Sequence, residues 1–485
     1  MKKIYISVFV LSFLFFSGCA NDILDTEQTE SISTADLASF NNDAGAQSFV
    51  TAIYSKFLDW NMSSFSWIGI SSITSDDADK GSSPGDTGAD KDLMDALTYN
   101  ASSLSVEDVF VANYQGINRC NQALYFIPQL DQANANLKTQ LMGEAKFLRA
   151  YMYFTLIKTY GGVPIIDHLP NPSSETDRVM QLTRKSSAEV YSFIVKDLND
   201  AITVLPTKGV YSASEKGRAS IGAAYALLSK VYLYQKKWQE ALDAANLVTG
   251  YDLATTYASQ YRITGENDIE SIFEIQSTGS TPSRGIDKYT TTQGATGASG
   301  WGWGFNTPSM SLVNAYEPGD VRKAATIIFA GSTLYDGRVV SPLVTNPRYN
   351  YKAYSSAYAG NDITDTNLKC LRYAEVLLIK AEAMNELNQT AAAIPFLNKV
   401  RNRAGLSDTS AASQTDIRKA IWKERRVELA FEHDRFFDLV RTGQAAAAFA
   451  IDGKMFVKGK HELFPLPQKF INEAKGLSLQ NPMYN

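Results

Sequence analysis

Thiol and imidazole are scarce in this chain of 485 residues, which has three cysteines and three histidines. Cys19, Cys120 and Cys370 are too few for a disulfide framework or a four-cysteine metal site. His168, His433 and His461 lie far apart and make no His-x-x-x-His pair, which argues against a zinc hydrolase. The sequence also lacks a Gly-x-Ser-x-Gly elbow and a phosphate-binding loop. Neither a metal nor a cofactor is expected. Basic residues are not in excess: Lys and Arg number 46 against 51 Asp and Glu, for a net charge of -5. That balance argues against nucleic acid or an anionic membrane surface as the main partner.

What the chain does have begins at its first residue. "MKKIYISVFVLSFLFFSGCAND" places two lysines before an apolar run from Ile4 to Phe16, followed by Ser17, Gly18 and Cys19. The run is shorter than the roughly 20 residues a spanning helix needs, and its order is that of a secretory signal. The small residues before Cys19 resemble the lipobox of bacterial lipoproteins, although Phe16 stands where leucine or valine is usual. The resemblance implies cleavage after residue 18 and acylation of Cys19 by chains such as palmitate. At about 0.8 kcal/mol per buried methylene, several such chains hold a protein stably on a bilayer. Cys120 and Cys370 then remain, as two buried thiols or one disulfide.

Residues 19–485 read as a single unit built on internal repetition. "YALLSKVYLYQKKWQEALDAANLV" (225–248) aligns with "LLIKAEAMNELNQTAAAIPFLNKV" (377–400). Small Ser229 and Ala381 fall opposite each other, as do Ala241 and Ala393, in the manner of tetratricopeptide hairpins, where small residues let two helices approach. A third copy begins at "EAKFLRAYMYFTLIKTY". Its partner helix is displaced to 188–205, where Val190, Phe193, Ile194, Asp197, Leu198, Ile202 and Leu205 recur at helical spacing. A fourth pair is expected over 417–443, with Gly443 as its stop. Repeat-like helices thus occupy approximately 138–250 and 369–443. Two segments of another character, approximately 60–104 and 251–368, are rich in Ser, Gly, Asp and Thr and read as loop-rich inserts.

The order of "EAKFLRAYMYFTLIKTYGGVPII", "LRYAEVLLIKAEAMNEL", "LNKVRNRAGL", "ERRVELAFEHDRFFDLVRTG" and "LFPLPQKFINEAKGLSLQNPMYN" resembles the SusD (RagB/SusD) family of outer-membrane nutrient-binding lipoproteins. The resemblance runs from Cys19 to the last residue. It implies a mostly α SusD-like fold, with tetratricopeptide-like hairpins as a scaffold and a variable loop-rich part. It also implies a lipid-anchored protein at the cell surface that captures an oligosaccharide or polysaccharide and passes it to a SusC-like, TonB-dependent outer-membrane barrel, without being an enzyme. In "ERRVELAFEHDRFFDLVR" the spacing predicts local ion pairs, Arg425 with Glu428 and Glu432 with Arg435.

Glycan contacts vary within the family, so site residues are read from chemistry and position alone. A sugar needs a flat apolar surface for its C–H faces, with polar side chains for its hydroxyls. One cluster offers Trp60, Asn61, Trp67, Asp77, Asp79 and Lys80. The other offers Tyr289, Trp301, Trp303, Phe305 and Asn306, around "GWGWGF". Alternating Trp and Gly fits an edge strand or a loop, and each tryptophan could pack inward or meet ligand. Asp77 to Gly81 has a faint calcium-loop look, but Gly88 stands where an EF-hand needs Glu, so a solvated acidic turn is expected. Three other functions stay open: uptake of another nutrient such as a peptide, a protein-interaction lid, and a surface glycoside hydrolase with paired carboxylates.

Overall fold

The computed structural model describes residues 34–83, 85–86, 88–279, 285–356 and 364–484. The leader at 1–18 and Cys19 lie outside the described residues. Long helices start where a side chain can cap them. Asn134 accepts from the N–H groups of Asn136 and Leu137 before helix Ala135–Tyr160. Ser186 and Glu189 form a reciprocal capping box before Ser187–Ile202, and Ser220 accepts from Ala223 before Ile221–Tyr234. Each cap contributes about 1 kcal/mol.

Successive helices pack one on the next, from Leu104–Phe126 through Ala135–Tyr160, Ser187–Ile202, Ile221–Tyr234, Trp238–Asn246 and Tyr373–Glu386 to Thr390–Arg403 and Gln414–Glu428. The displaced partner helix is Ser187–Ile202, which buries Val190, Ile194 and Leu198 against Ala135–Tyr160. Gly143 permits that approach, since a Cβ there would lie 2.5 Å from Val204 Cγ2. The repeat extends to the backbone. Lys236 (φ 57°) and Asn388 (φ 61°) turn the two hairpins through the left-handed region, and they fall opposite each other in the alignment that pairs Tyr225 with Leu377. Ala241, Ala245, Ala381 and Ala393 are fully buried at the small positions. One apolar core runs from Ala46 to Ala474, so helices from both halves of the chain share it.

The inserts are more ordered than their composition suggests. Strand Ser271–Ile275 pairs antiparallel with Leu368–Arg372 and closes the base of the second insert. Ala78–Gly81 pairs antiparallel with Phe305–Pro308, in register Ala78 to Pro308 and Gly81 to Phe305, and so joins the first insert to the second. A third pair, Ile327–Phe329 with Arg348–Asn350, covers a small separate core that includes Tyr349, Tyr351 and Tyr354.

One sequence expectation changes and one alternative is resolved. The fourth pair is Gln414–Glu428 and Arg435–Arg441, separated by a turn with Phe431 (φ 63°) and His433 (φ 68°) in the left-handed region. The expected local ion pairs are replaced by tertiary ones. Arg425 binds Asp438 and Glu375, Glu428 binds Arg322, Arg372 and Arg403, Glu432 binds Arg372 and Lys352, and Arg435 binds Asp76. Cys120 and Cys370 are both free thiols.

Candidate ligand-binding site

The stretch "GWGWGF" is loop up to Gly304 and strand from Phe305. The loop folds back on the short helix Tyr289–Gln293. The N–H groups of Trp301 and Gly302 donate to Ala295 O (2.7 and 2.8 Å), and that of Trp303 donates to Thr291 O (2.8 Å). Glycine makes this contact available, because a Cβ on Gly302 would lie 2.4 Å from Thr291 O. The two indoles end in different places. Trp301 packs inward against Tyr354 (5.4 Å between rings) and Tyr349 (6.5 Å). Trp303 is 39% exposed and stands edge-on to Trp60 at 5.7 Å.

Trp60 carries the surface further. It stacks on Phe65 at 5.0 Å, and Phe65 meets Phe305 edge-on at 4.9 Å. Lys288 Nζ sits 5.5 Å from the Trp60 ring and 5.9 Å from the Trp303 ring. The row Trp303–Trp60–Phe65–Phe305 takes two rings from each insert, and the strand pair between the inserts holds it together; Phe305, 6% exposed, is its buried end, which corrects the expectation that this ring meets ligand. Beside Trp60 opens a recess of about 630 Å³, lined by Asp59, Asn61, Glu107, Asp108, Gln115 and Asp287 among others. Ser66 Oγ donates to Asp108 at 2.7 Å, and burial pushes the Asp108 carboxyl up from its ordinary range. Exposed indole beside carboxylates and amides matches the two needs of a hydroxyl-rich ring ligand.

The other candidates are engaged inside the protein, which corrects the expectation that they meet ligand. Trp67 is 9% exposed and stacks on Phe437 at 6.0 Å. The Tyr289 hydroxyl bonds His433 Nε2 at 3.1 Å, and His433 Nδ1 bonds Ser71 at 2.8 Å; burial lowers the imidazole to about 4. Asn306 is fully buried at φ 59°, accepting from Ser72 Oγ and donating to Gln293 Oε1, each at 2.7 Å. The expected solvated acidic turn is instead buried: Arg426 donates to Asp77 at 2.7 Å and Arg435 to Asp76 at 2.7 Å. Asp79 is half-buried, with its carboxyl raised first by burial and then by Asp95. Lys80 bridges Asp86 and Asp92. Among the described residues, no group of three or more His, Cys, Asp or Glu side chains could hold a metal ion.

Sequence reasoning missed Phe65, Lys288 and the polar wall. Phe65 falls between Trp60 and Trp67 of the first cluster and Asp59 directly precedes that cluster, but Glu107, Asp108 and Gln115 belong to helix Leu104–Phe126, outside both inserts, where nothing in the sequence marks them as surface.

A stack of helical hairpins that displays an aromatic row and an open recess on its inserts has the architecture of a binding protein. A sequence profile described as "SusD family" matches residues 344–484, and one described as "Starch-binding associating with outer membrane" matches residues 67–233. The chain is 28% identical over 414 residues to SusD-like protein P2 of Formosa agariphila, covering 76% of this chain and 79% of that protein. It is 25% identical over 473 residues to a SusD-like protein of Bacteroides ovatus, covering 88% and 80% respectively. Among solved structures, a laminarin binding SusD-like protein is 29% identical with a TM-score of 0.77, covering 91% of this chain and 100% of that one. Surface glycan-binding protein A from Bacteroides fluxus is 25% identical with a TM-score of 0.75, covering 91% and 99%. The chain is SusD-like in sequence and in fold, and its neighbours named for a function are binding proteins rather than enzymes.

Proposed function

We propose that this protein captures an oligosaccharide or polysaccharide at the cell surface, anchored to the outer membrane through acylated Cys19, and delivers it to a SusC-like, TonB-dependent barrel. The observation that carries the reading is the half-exposed Trp303 set edge-on to Trp60 beside the recess. Indole offers a sugar ring its apolar C–H contact, while Asp59, Asn61 and Gln115 offer hydrogen bonds to hydroxyls. Lys288 holds positive charge near both rings. Similarity to a laminarin binding SusD-like protein supports a glycan as the ligand class.

The test is migration of the purified protein through native gels cast with plant, microbial and host polysaccharides. At least one polysaccharide should retard the protein, and no new reducing ends should appear on incubation. Free migration through the whole panel, or cleavage of a glycan, would overturn the reading.

A further inference from the structure

A second group of rings lies on the other side of the "GWGWGF" loop. Trp301 meets Tyr354 at 5.4 Å, Tyr354 meets Tyr335 at 5.7 Å, and Tyr335 stacks on Tyr351 at 6.1 Å. Two arginines rest on this cluster. The Arg262 guanidinium lies 4.2 Å from the Tyr335 ring and 4.4 Å from the Tyr351 ring. That of Arg338 lies 5.1 Å from the Trp301 ring and 5.7 Å from the Tyr354 ring.

Charge pairing separates these arginines from those of the scaffold. Arg322, Arg372, Arg403 and Arg425 each bind two or more carboxylates. Arg262 and Arg338 bind none among the described residues. Arg262 donates from Nη1 to Tyr261 O at 2.7 Å, and its position is buried enough to lower its proton affinity. Asp336 accepts from the Tyr354 hydroxyl at 2.6 Å and from the Arg338 backbone N–H at 3.2 Å, and forms no salt bridge with either guanidinium. Two guanidinium groups on aromatic supports, partly withdrawn from water and outside any salt bridge among the described residues, suit an anion. Tyr335, 46% exposed, adds a ring face beside them. Trp301 Nε1–H is also buried with no acceptor among the described residues.

We propose that Arg262, Arg338 and Tyr335 form a second glycan subsite, distinct from the Trp60–Trp303 row, that takes an acidic sugar unit. The sugar ring lies against Tyr335 and its carboxylate is held by guanidinium. A planar fork suits a carboxylate, since two parallel N–H donors match its two oxygens. The proposal depends on the glycan reading only in taking the anion to be part of a sugar.

The test is calorimetric titration of the full protein with oligomers of galacturonate, glucuronate and mannuronate, and with the methyl esters of each, which keep the ring and remove the charge. At least one acidic oligomer should bind. Its affinity should fall as salt rises from about 0.05 to about 0.5 M, and esterification should weaken it about tenfold or more. Arg262→Gln with Arg338→Gln should produce the same loss. Arg338→Gln alone should produce part of it with an unchanged melting temperature, which separates binding from folding. No binding of any acidic oligomer, or equal binding by the double variant, would overturn the proposal. Neutral-glycan retention is read in parallel: it should survive both arginine substitutions, and its absence from the wild type would count against the Trp60–Trp303 reading instead.

Discussion

Trp301 and Trp303 are two residues apart and do opposite things. The alternation itself was legible in "GWGWGF", and so was the attraction of indole for sugar. Which ring turns outward was not, because it is decided by two carbonyls, Ala295 O and Thr291 O, that pin the loop. Trp67, Tyr289, Asn306 and Asp77 had the right chemistry for sugar but have distant internal partners, such as Arg426 for Asp77. No local pattern reveals such a partner. Asn306 makes the point testable. Its amide ties Ser72 to Gln293 in a fully buried, left-handed position. Asn306→Ala should therefore cost about 1–3 kcal/mol of stability. Calorimetry should show a lower melting temperature, while the folded fraction retains glycan as the wild type does.

At the scale of elements, the repeat was the most readable part of the sequence. Small residues at matched places fixed the hairpins, and Lys236 and Asn388 even share a backbone conformation. The place of the break, between Glu428 and Arg435, was invisible, because charges at helical spacing look alike whether their partners are one turn away or across the fold. Those charges fasten the second insert, through Arg322 and Lys352, to Glu424, Glu428 and Glu432. Burial alone would raise the Glu432 carboxyl, yet Arg372 and Lys352 outweigh it and hold it down to about 2. Glu428 is likewise held well below the usual range against its burial, by Arg403, Arg372 and Arg322.

A carboxyl whose folded pKa lies below its unfolded value of about 4.3 stabilises fully above that pH and loses the contribution as pH falls. Thermal midpoints should therefore hold from neutral pH to about pH 5 and then fall steadily towards pH 2. Glu428→Gln should cost about 3 kcal/mol at neutral pH, since it removes one carboxylate partner from each of three buried arginines, and should flatten that acid decline. An acid profile identical to that of the wild type would show that these pairs do not set it.

At the scale of the molecule, the scaffold is legible and the binding surface is assembled. The likeness to SusD proteins is carried by the order of motifs along the chain, whereas the aromatic row forms where strand Ala78–Gly81 meets Phe305–Pro308 and Trp60 comes to Trp303. Anchor and recess are separate devices in this account. Cys19→Ala should shift the protein from the membrane to the soluble fraction on fractionation, with glycan retention intact. The central claim is that the exposed indole row is the glycan surface. The measurement that tests it most directly is titration of a retained polysaccharide against the wild type and Trp303→Ala. Because Trp303 is 39% exposed, its removal should leave the melting temperature nearly unchanged while weakening binding about tenfold or more. A Trp303→Ala variant that is equally stable and binds as tightly as the wild type would contradict the account.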